Sequence, residues 1–89
     1  MVFAEVDIVN RRGLHARAAA KLVQAASGFE SQVTIAHGEE EADGKSILSL
    51  MVLGACQGTK LRISIEGEDE QDALAALVEL IAGGFDEQE

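Results

Sequence analysis

The sequence contains no proline, no tryptophan and no tyrosine, and aromatic residues make up only 3% of its 89 positions. Stacking of bases or sugars on aromatic rings is therefore an improbable binding mode. The single cysteine, Cys56, has no partner for an internal disulfide, which fits a reducing compartment. One cysteine and two distant histidines also make a poor metal site. No metal or cofactor is expected, and Cys56 is expected to serve as a small buried hydrophobe. Basic residues are scarce, with seven Lys and Arg against sixteen Asp and Glu and a net charge of −9. A body so acidic repels nucleic acid and anionic lipid over most of its surface, so neither is an expected partner. No apolar run approaches the length of a membrane span. The opening Met1 to Val9 lacks a basic n-region and is interrupted by Glu5 and Asp7, so it does not read as a signal peptide. The expectation is a cytoplasmic protein without membrane insertion, built as one domain over residues 1–89.

Against this acidic background the basic residues are unevenly placed. Four of the seven, Arg11, Arg12, Arg17 and Lys21, cluster around His15, whereas Glu66 to Glu89 holds nine acids and no Lys or Arg. A partner with an acidic surface would be steered to that patch. The segment Gly13-Leu14-His15-Ala16-Arg17-Ala18-Ala19-Ala20-Lys21 reads as a glycine turn opening into an alanine-rich helix. A helix beginning near His15 leaves its first N–H groups without intrahelical partners, and its dipole favours negative charge there. The same field favours a neutral, nucleophilic imidazole. Arg17 adds a guanidinium fork suited to phosphate oxygens. The chemistry suggested is reversible phosphorylation of His15.

Periodicity predicts the remaining architecture. Val2, Ala4, Val6 and Ile8 share one face of a first strand, and a turn from Asn10 to Gly13 follows. A helix from about Ala16 to Ser27 carries an apolar stripe of Ala18, Ala19, Leu22, Val23 and Ala26 and stops at Gly28. Val33 and Ile35 mark a second strand, and a short third strand follows the turn at His37-Gly38, leaving His37 in solvent at the strand end. Ser46 is the expected N-cap of a short helix containing Ile47, Leu48, Leu50, Met51, Val52 and Leu53, more apolar residues than one buried stripe requires. Leu61, Ile63 and Ile65 alternate along a fourth strand, and Ala73, Leu74, Leu77, Leu80 and Ile81 form the stripe of a last helix ended by Gly83-Gly84. The order β-α-β-β-α-β-α predicts an α+β domain, an antiparallel sheet with its helices on one face.

Three features together resemble the histidine-containing phosphocarrier protein (HPr) family of the bacterial phosphoenolpyruvate-dependent phosphotransferase system. Gly13-Leu14-His15-Ala16-Arg17-Ala18 resembles the family's phosphohistidine signature. Gly44 to Gly54, through Lys45-Ser46-Ile47-Leu48, resembles the signature around its regulatory serine, and the element order is the third match. The resemblance covers essentially the whole chain. It departs at Ala18, where many members carry a proline suited to a first helical turn, although alanine also occurs there.

The resemblance implies an open-faced β-sandwich of four antiparallel strands and three helices, and a carrier rather than an enzyme. His15 would accept a phosphoryl group on Nδ1 from phosphorylated enzyme I and pass it to an enzyme IIA protein or domain, with Arg17 contacting the group. It implies Ser46 as a site for an HPr kinase/phosphorylase. It also implies a shared docking surface from Ala16, Ala20, Gln24, Ile47, Leu48 and Met51 on a monomeric carrier. The tail Gly83 to Glu89 and the Ala-rich last helix are similar to carriers of the nitrogen-related regulatory branch, whereas the Ser46 region is similar to kinase-regulated carriers. A regulatory phosphorelay is the preferred expectation and sugar uptake the alternative. From the residues alone, a module binding an anionic metabolite without a covalent step, or a purely structural adaptor, stays open.

Overall fold

The computed structural model describes residues 1–87. Its elements follow the expected order: β1 (Val2–Asp7), α1 (Ala16–Ser27), β2 (Gln32–His37), β3 (Glu40–Asp43), α2 (Ile47–Val52), β4 (Lys60–Glu66) and α3 (Glu70–Ala82). A 3₁₀ turn, Gly84–Asp86, follows α3. The four strands form one sheet in the order β1-β4-β2-β3, and every neighbouring pair is antiparallel. The last strand in the chain thus enters the centre of the sheet. That position matches its sequence, because Leu61, Ile63 and Ile65 are completely buried. They lie opposite Val6, Ala4 and Val2 on β1, while Ile63 and Ile65 also face Ile35 and Val33 on β2.

The helices close the core over this face. Leu22 from α1, Leu50 from α2, and Leu77 and Ile81 from α3 are fully buried in the same cluster as the strand residues. Burying each such side chain contributes roughly 1.5–3 kcal/mol. Small residues set the spacing: Ala18, Ala19 and Ala26 on α1 and Ala73 on α3 are buried, which allows close approach between the helices and the sheet. The opposite face of the sheet is open, with Phe3, Glu5 and Arg62 exposed. Two expectations need correction. His37 does end β2, but it is half-buried, its Nδ1 3.2 Å from the carbonyl oxygen of Leu53 at the end of α2. Cys56 is exposed rather than buried, because it opens a turn in which the Thr59 N–H bonds its carbonyl oxygen at 3.0 Å.

One carboxylate ties two loops together. Asp69 occupies the N-cap position of α3, yet its side chain does not cap that helix. It reaches instead to the loop before β2, accepting the Glu30 N–H at 2.8 Å, the Ser31 N–H at 3.0 Å and the Ser31 hydroxyl. The hydrogen bond from Ser31, with that from the Glu30 N–H, holds the Asp69 carboxyl below the usual carboxylate range. A depressed folded-state pKa stabilises the fold above the unfolded value, and this contribution is lost as pH falls through the folded value. Asp69→Ala is therefore expected to lower the thermal midpoint at neutral pH. In circular-dichroism melts the gap between variant and wild type should close as the pH is taken below the ordinary aspartate range.

Candidate functional site

The site begins with a turn that the sequence specifies locally. Asn10 is buried, its carbonyl accepts the Gly13 N–H at 3.2 Å, and its side-chain Nδ2 donates to the Gly13 carbonyl at 2.8 Å. Asparagine commonly supplies such turn-closing bonds. Gly13 has φ +67, and a Cβ there would lie 2.7 Å from the Ala55 carbonyl oxygen and 2.8 Å from the Cys56 Cα. Only a residue without a side chain fits between the two loops. The next residue, Leu14, is buried and donates its N–H to the Ala55 carbonyl at 3.0 Å. These contacts deliver His15 to the start of α1.

His15 is the N-cap of α1, with extended backbone angles (φ −80, ψ 178). Its Nδ1 accepts the Arg17 N–H at 3.2 Å, so the imidazole takes the part usually played by a Ser, Thr, Asp or Asn oxygen. An accepting Nδ1 carries no hydrogen, which places the proton of the neutral ring on Nε2. The Nε2 is paired with Glu87 Oε2. The other carboxylate oxygen of Glu87 accepts from Asn10 Nδ2 at 2.8 Å, so the turn and the tail hold the ring together. Burial opposes ionisation of Glu87, but the hydrogen bonds from Asn10 and His15 and the positive charge of Arg12 outweigh it and keep this carboxyl below its ordinary range.

The tail reaches His15 by a fixed route. Phe85 is fully buried in a left-handed conformation (φ 57), one that a bulky residue adopts only when its surroundings impose it. Here the ring is buried in the core, Lys21 Nζ donates to the Phe85 carbonyl at 2.6 Å, and the Glu87 N–H bonds the Gly84 carbonyl at 3.1 Å.

Arg17 is exposed, and among the described residues its guanidinium has no hydrogen bond or ion pair. No acid lies in the first turn of α1. The first turn of the helix thus carries an exposed guanidinium two positions from the imidazole, a residue that can neutralise phosphate oxygens. Of the other residues singled out from the sequence, Ala16 and Gln24 are exposed and Ala20 is half-buried on α1. On α2, Leu48 is 77% exposed, and Ile47 and Met51 are exposed at 40% and 43%. Val52, read only as part of the helix, is 76% exposed and belongs to the same apolar surface. Ser46 caps α2 as expected, its Oγ accepting the Ser49 N–H at 3.3 Å.

Sequence reasoning missed Asn10, Phe85 and Glu87 as site residues. Asn10 was readable as a turn former ahead of Gly13. An isolated phenylalanine after Gly83-Gly84 in an acidic tail signals an anchor. Nothing local marks Glu87, which meets His15 across 72 positions of sequence.

A histidine-capped helix on an open-faced α+β sheet, with an exposed arginine in its first turn, defines a class of small carrier domains. The family profile described as "PTS HPr component phosphorylation site" matches residues 2–83. The chain is 51% identical over 86 residues to "Phosphocarrier protein HPr" of Pseudomonas aeruginosa, covering 96% of each. Its fold superimposes on HPr-C-His from Thermoanaerobacter tengcongensis with a TM-score of 0.95, 43% identity and complete coverage of both chains. An HPr dimer structure from the same organism gives a TM-score of 0.78 at 44% identity, covering 98% of this chain and 100% of that one. The chain belongs to the HPr family: it is a phosphocarrier of the phosphotransferase system and not a catalyst. Among the described residues no helix is long and apolar enough to cross a membrane.

Gly13→Ala tests the placement of the site. The clash with Ala55 and the left-handed φ predict a loss of about 1–3 kcal/mol in urea unfolding, with the His15 loop displaced.

Proposed function

We propose that His15 Nδ1 is the phosphoryl acceptor and donor of this carrier and that Arg17 stabilises the transferred group. The observation that carries this reading is the Nδ1 lone pair at the start of α1, with the exposed Arg17 in the same first turn. The lone pair attacks phosphorus as the bond to the donor breaks, and the Arg17 fork and helix N–H groups take the charge on the equatorial oxygens. Such chemistry needs positioning and neutralised charge and little else from the protein. The donor in this reading is phosphorylated enzyme I and the acceptor an enzyme IIA protein or domain, both met in the cytoplasm by a monomeric single-domain carrier.

Ala16, Ala20 and Gln24 on α1 and Ile47, Leu48 and Met51 on α2 form the proposed docking surface. Support comes from the exposure of large apolar side chains on a helix that packs against α1. Surfaces of this kind mark protein interaction sites, and a small contact area suits rapid exchange between successive partners. A nitrogen-related regulatory relay is the proposed branch, on the similarity of the tail and last helix, and sugar uptake is the alternative. The enzyme IIA that accepts label from the phosphorylated chain decides between them.

Intact mass after incubation with phosphoenolpyruvate and enzyme I tests the carrier step. Wild type should gain one acid-labile phosphoryl group, and His15→Ala should gain none while keeping its fold. Ser46 is proposed as a regulatory phosphorylation site, supported by its place at the N-terminus of the exposed helix, where a phosphate is electrostatically tolerated. Ser46→Asp should slow phosphorylation by enzyme I several-fold in stopped-flow measurements, because added negative charge near the basic patch weakens docking of an acidic partner.

A further inference from the structure

We propose that Glu87 is a positioning residue for the carrier reaction, keeping the Nε2 proton on the His15 ring both before and after Nδ1 receives the phosphoryl group. The proposal rests on His15 being the acceptor. Its basis is a closed set of bonds. Arg17 N–H donates to Nδ1, the ring proton on Nε2 meets Glu87 Oε2, and Asn10 Nδ2 holds Glu87 Oε1 at 2.8 Å. With 16% of the His15 side chain and 12% of the Glu87 side chain exposed, this contact is partly shielded from water, which would otherwise compete for the proton. Phe85 and Lys21 fix the tail that carries the carboxylate, so its position is imposed by the core and not by the imidazole alone.

The chemical consequence follows from counting charge. When the Nδ1 lone pair forms a bond to phosphorus, no proton leaves Nδ1, and the ring becomes a phosphoimidazolium that still bears its Nε2 hydrogen. Glu87 neutralises that new positive charge. When the phosphoryl group moves on, the N–P bond electrons return to Nδ1 and the ring departs as neutral imidazole. If Nε2 had shed its proton to solvent, the leaving group would be an imidazolate, a far poorer one. A carboxylate on Nε2 therefore preserves the transferability of the phosphoryl group. This is the logic by which a buried carboxylate holds a catalytic histidine in one tautomer and stabilises its charged form.

Among the described residues, the charged groups on the elements that hold this pair are chiefly cationic, with Asp86 the acid beside Glu87. Arg17 stands on α1, Arg12 in the turn acts on Glu87, and Lys21 on α1 is engaged by the Phe85 carbonyl. These three are cations and donate rather than accept, so among them none can take the place of the Glu87 carboxylate at Nε2.

The test uses phosphoramidate, a small phosphoryl donor that transfers its group with release of ammonia and needs no partner protein. Wild type, Glu87→Gln and Glu87→Asp are phosphorylated, and adduct hydrolysis is followed from pH 5 to 9. Nitrogen-15 NMR reads which ring nitrogen carries hydrogen. The expected result is that Glu87→Gln weakens the Nε2–H signature and lowers the pH above which the adduct becomes long-lived. At neutral pH its adduct should lose phosphate roughly three- to tenfold more slowly, the size expected for a charged hydrogen bond turned neutral. Glu87→Asp, which keeps the charge on a shorter stem, should recover part of the difference. A purely structural role would move the melting temperature and leave the pH profile in place. Superimposable profiles and unchanged ring protonation in Glu87→Gln, or in Glu87→Asp relative to wild type should Glu87→Gln not fold, would overturn the role of Glu87 while the carrier reading stands. Failure of wild type to acquire any phosphoryl group would overturn the carrier reading and this proposal with it.

Discussion

The site depends on a single acceptor choice: the imidazole of His15 caps its own helix through Nδ1. A hydroxyl or carboxylate cap satisfies the helix N-terminus and does nothing more. An imidazole cap divides its two nitrogens between two tasks. One lone pair lies at the positive end of the dipole, and the opposite N–H must find an acceptor elsewhere. The chain meets that demand with Glu87, which reaches back from the far end of the sequence. Asn10 then joins turn and tail, and its own Oδ1 is left buried with no hydrogen-bond partner among the described residues. The arrangement thus accepts the cost of one unsatisfied polar atom at the place where the geometry of the ring is set.

Much of the fold was legible because the pattern is local. Leu61, Ile63 and Ile65 alternate as a strand and are buried as one, and the stripes of α1 and α3 point where helical spacing places them. Ser46 caps α2, and His15 and Arg17 share the helix start, both as their neighbours in sequence implied. The failures are of another kind. His37 reads as a solvent-facing strand end because its partner, the Leu53 carbonyl, belongs to a different element. Cys56 reads as a buried hydrophobe because its residue type is commonly buried, but a backbone turn against the Gly13 loop directs it outward. Glu87 is one of many acids in an acidic tail, and only the left-handed turn at Phe85 selects it. Contacts decided by tertiary closure leave no periodic trace.

Charge and apolar surface divide the labour across the molecule. The acidic body with its basic rim around α1 governs which surfaces approach and how quickly. The exposed apolar side chains of α2, in the docking role proposed for them, would provide contact without demanding a particular polar pattern from the other side. On the proposed reading, a carrier that must release one protein before meeting the next would gain from this separation, since orientation and adhesion would be supplied by different residues.

Phe85 has a consequence for the tail that goes beyond packing. One residue, Asp86, separates Phe85 from Glu87, so the carboxylate is tethered and meets the imidazole as an intramolecular partner. Short tethers give effective concentrations of about millimolar or more. The carboxylate–imidazole contact is therefore made by an anchored neighbour and not by a free solute. Occupancy is then governed by the anchor's geometry as much as by the bond itself.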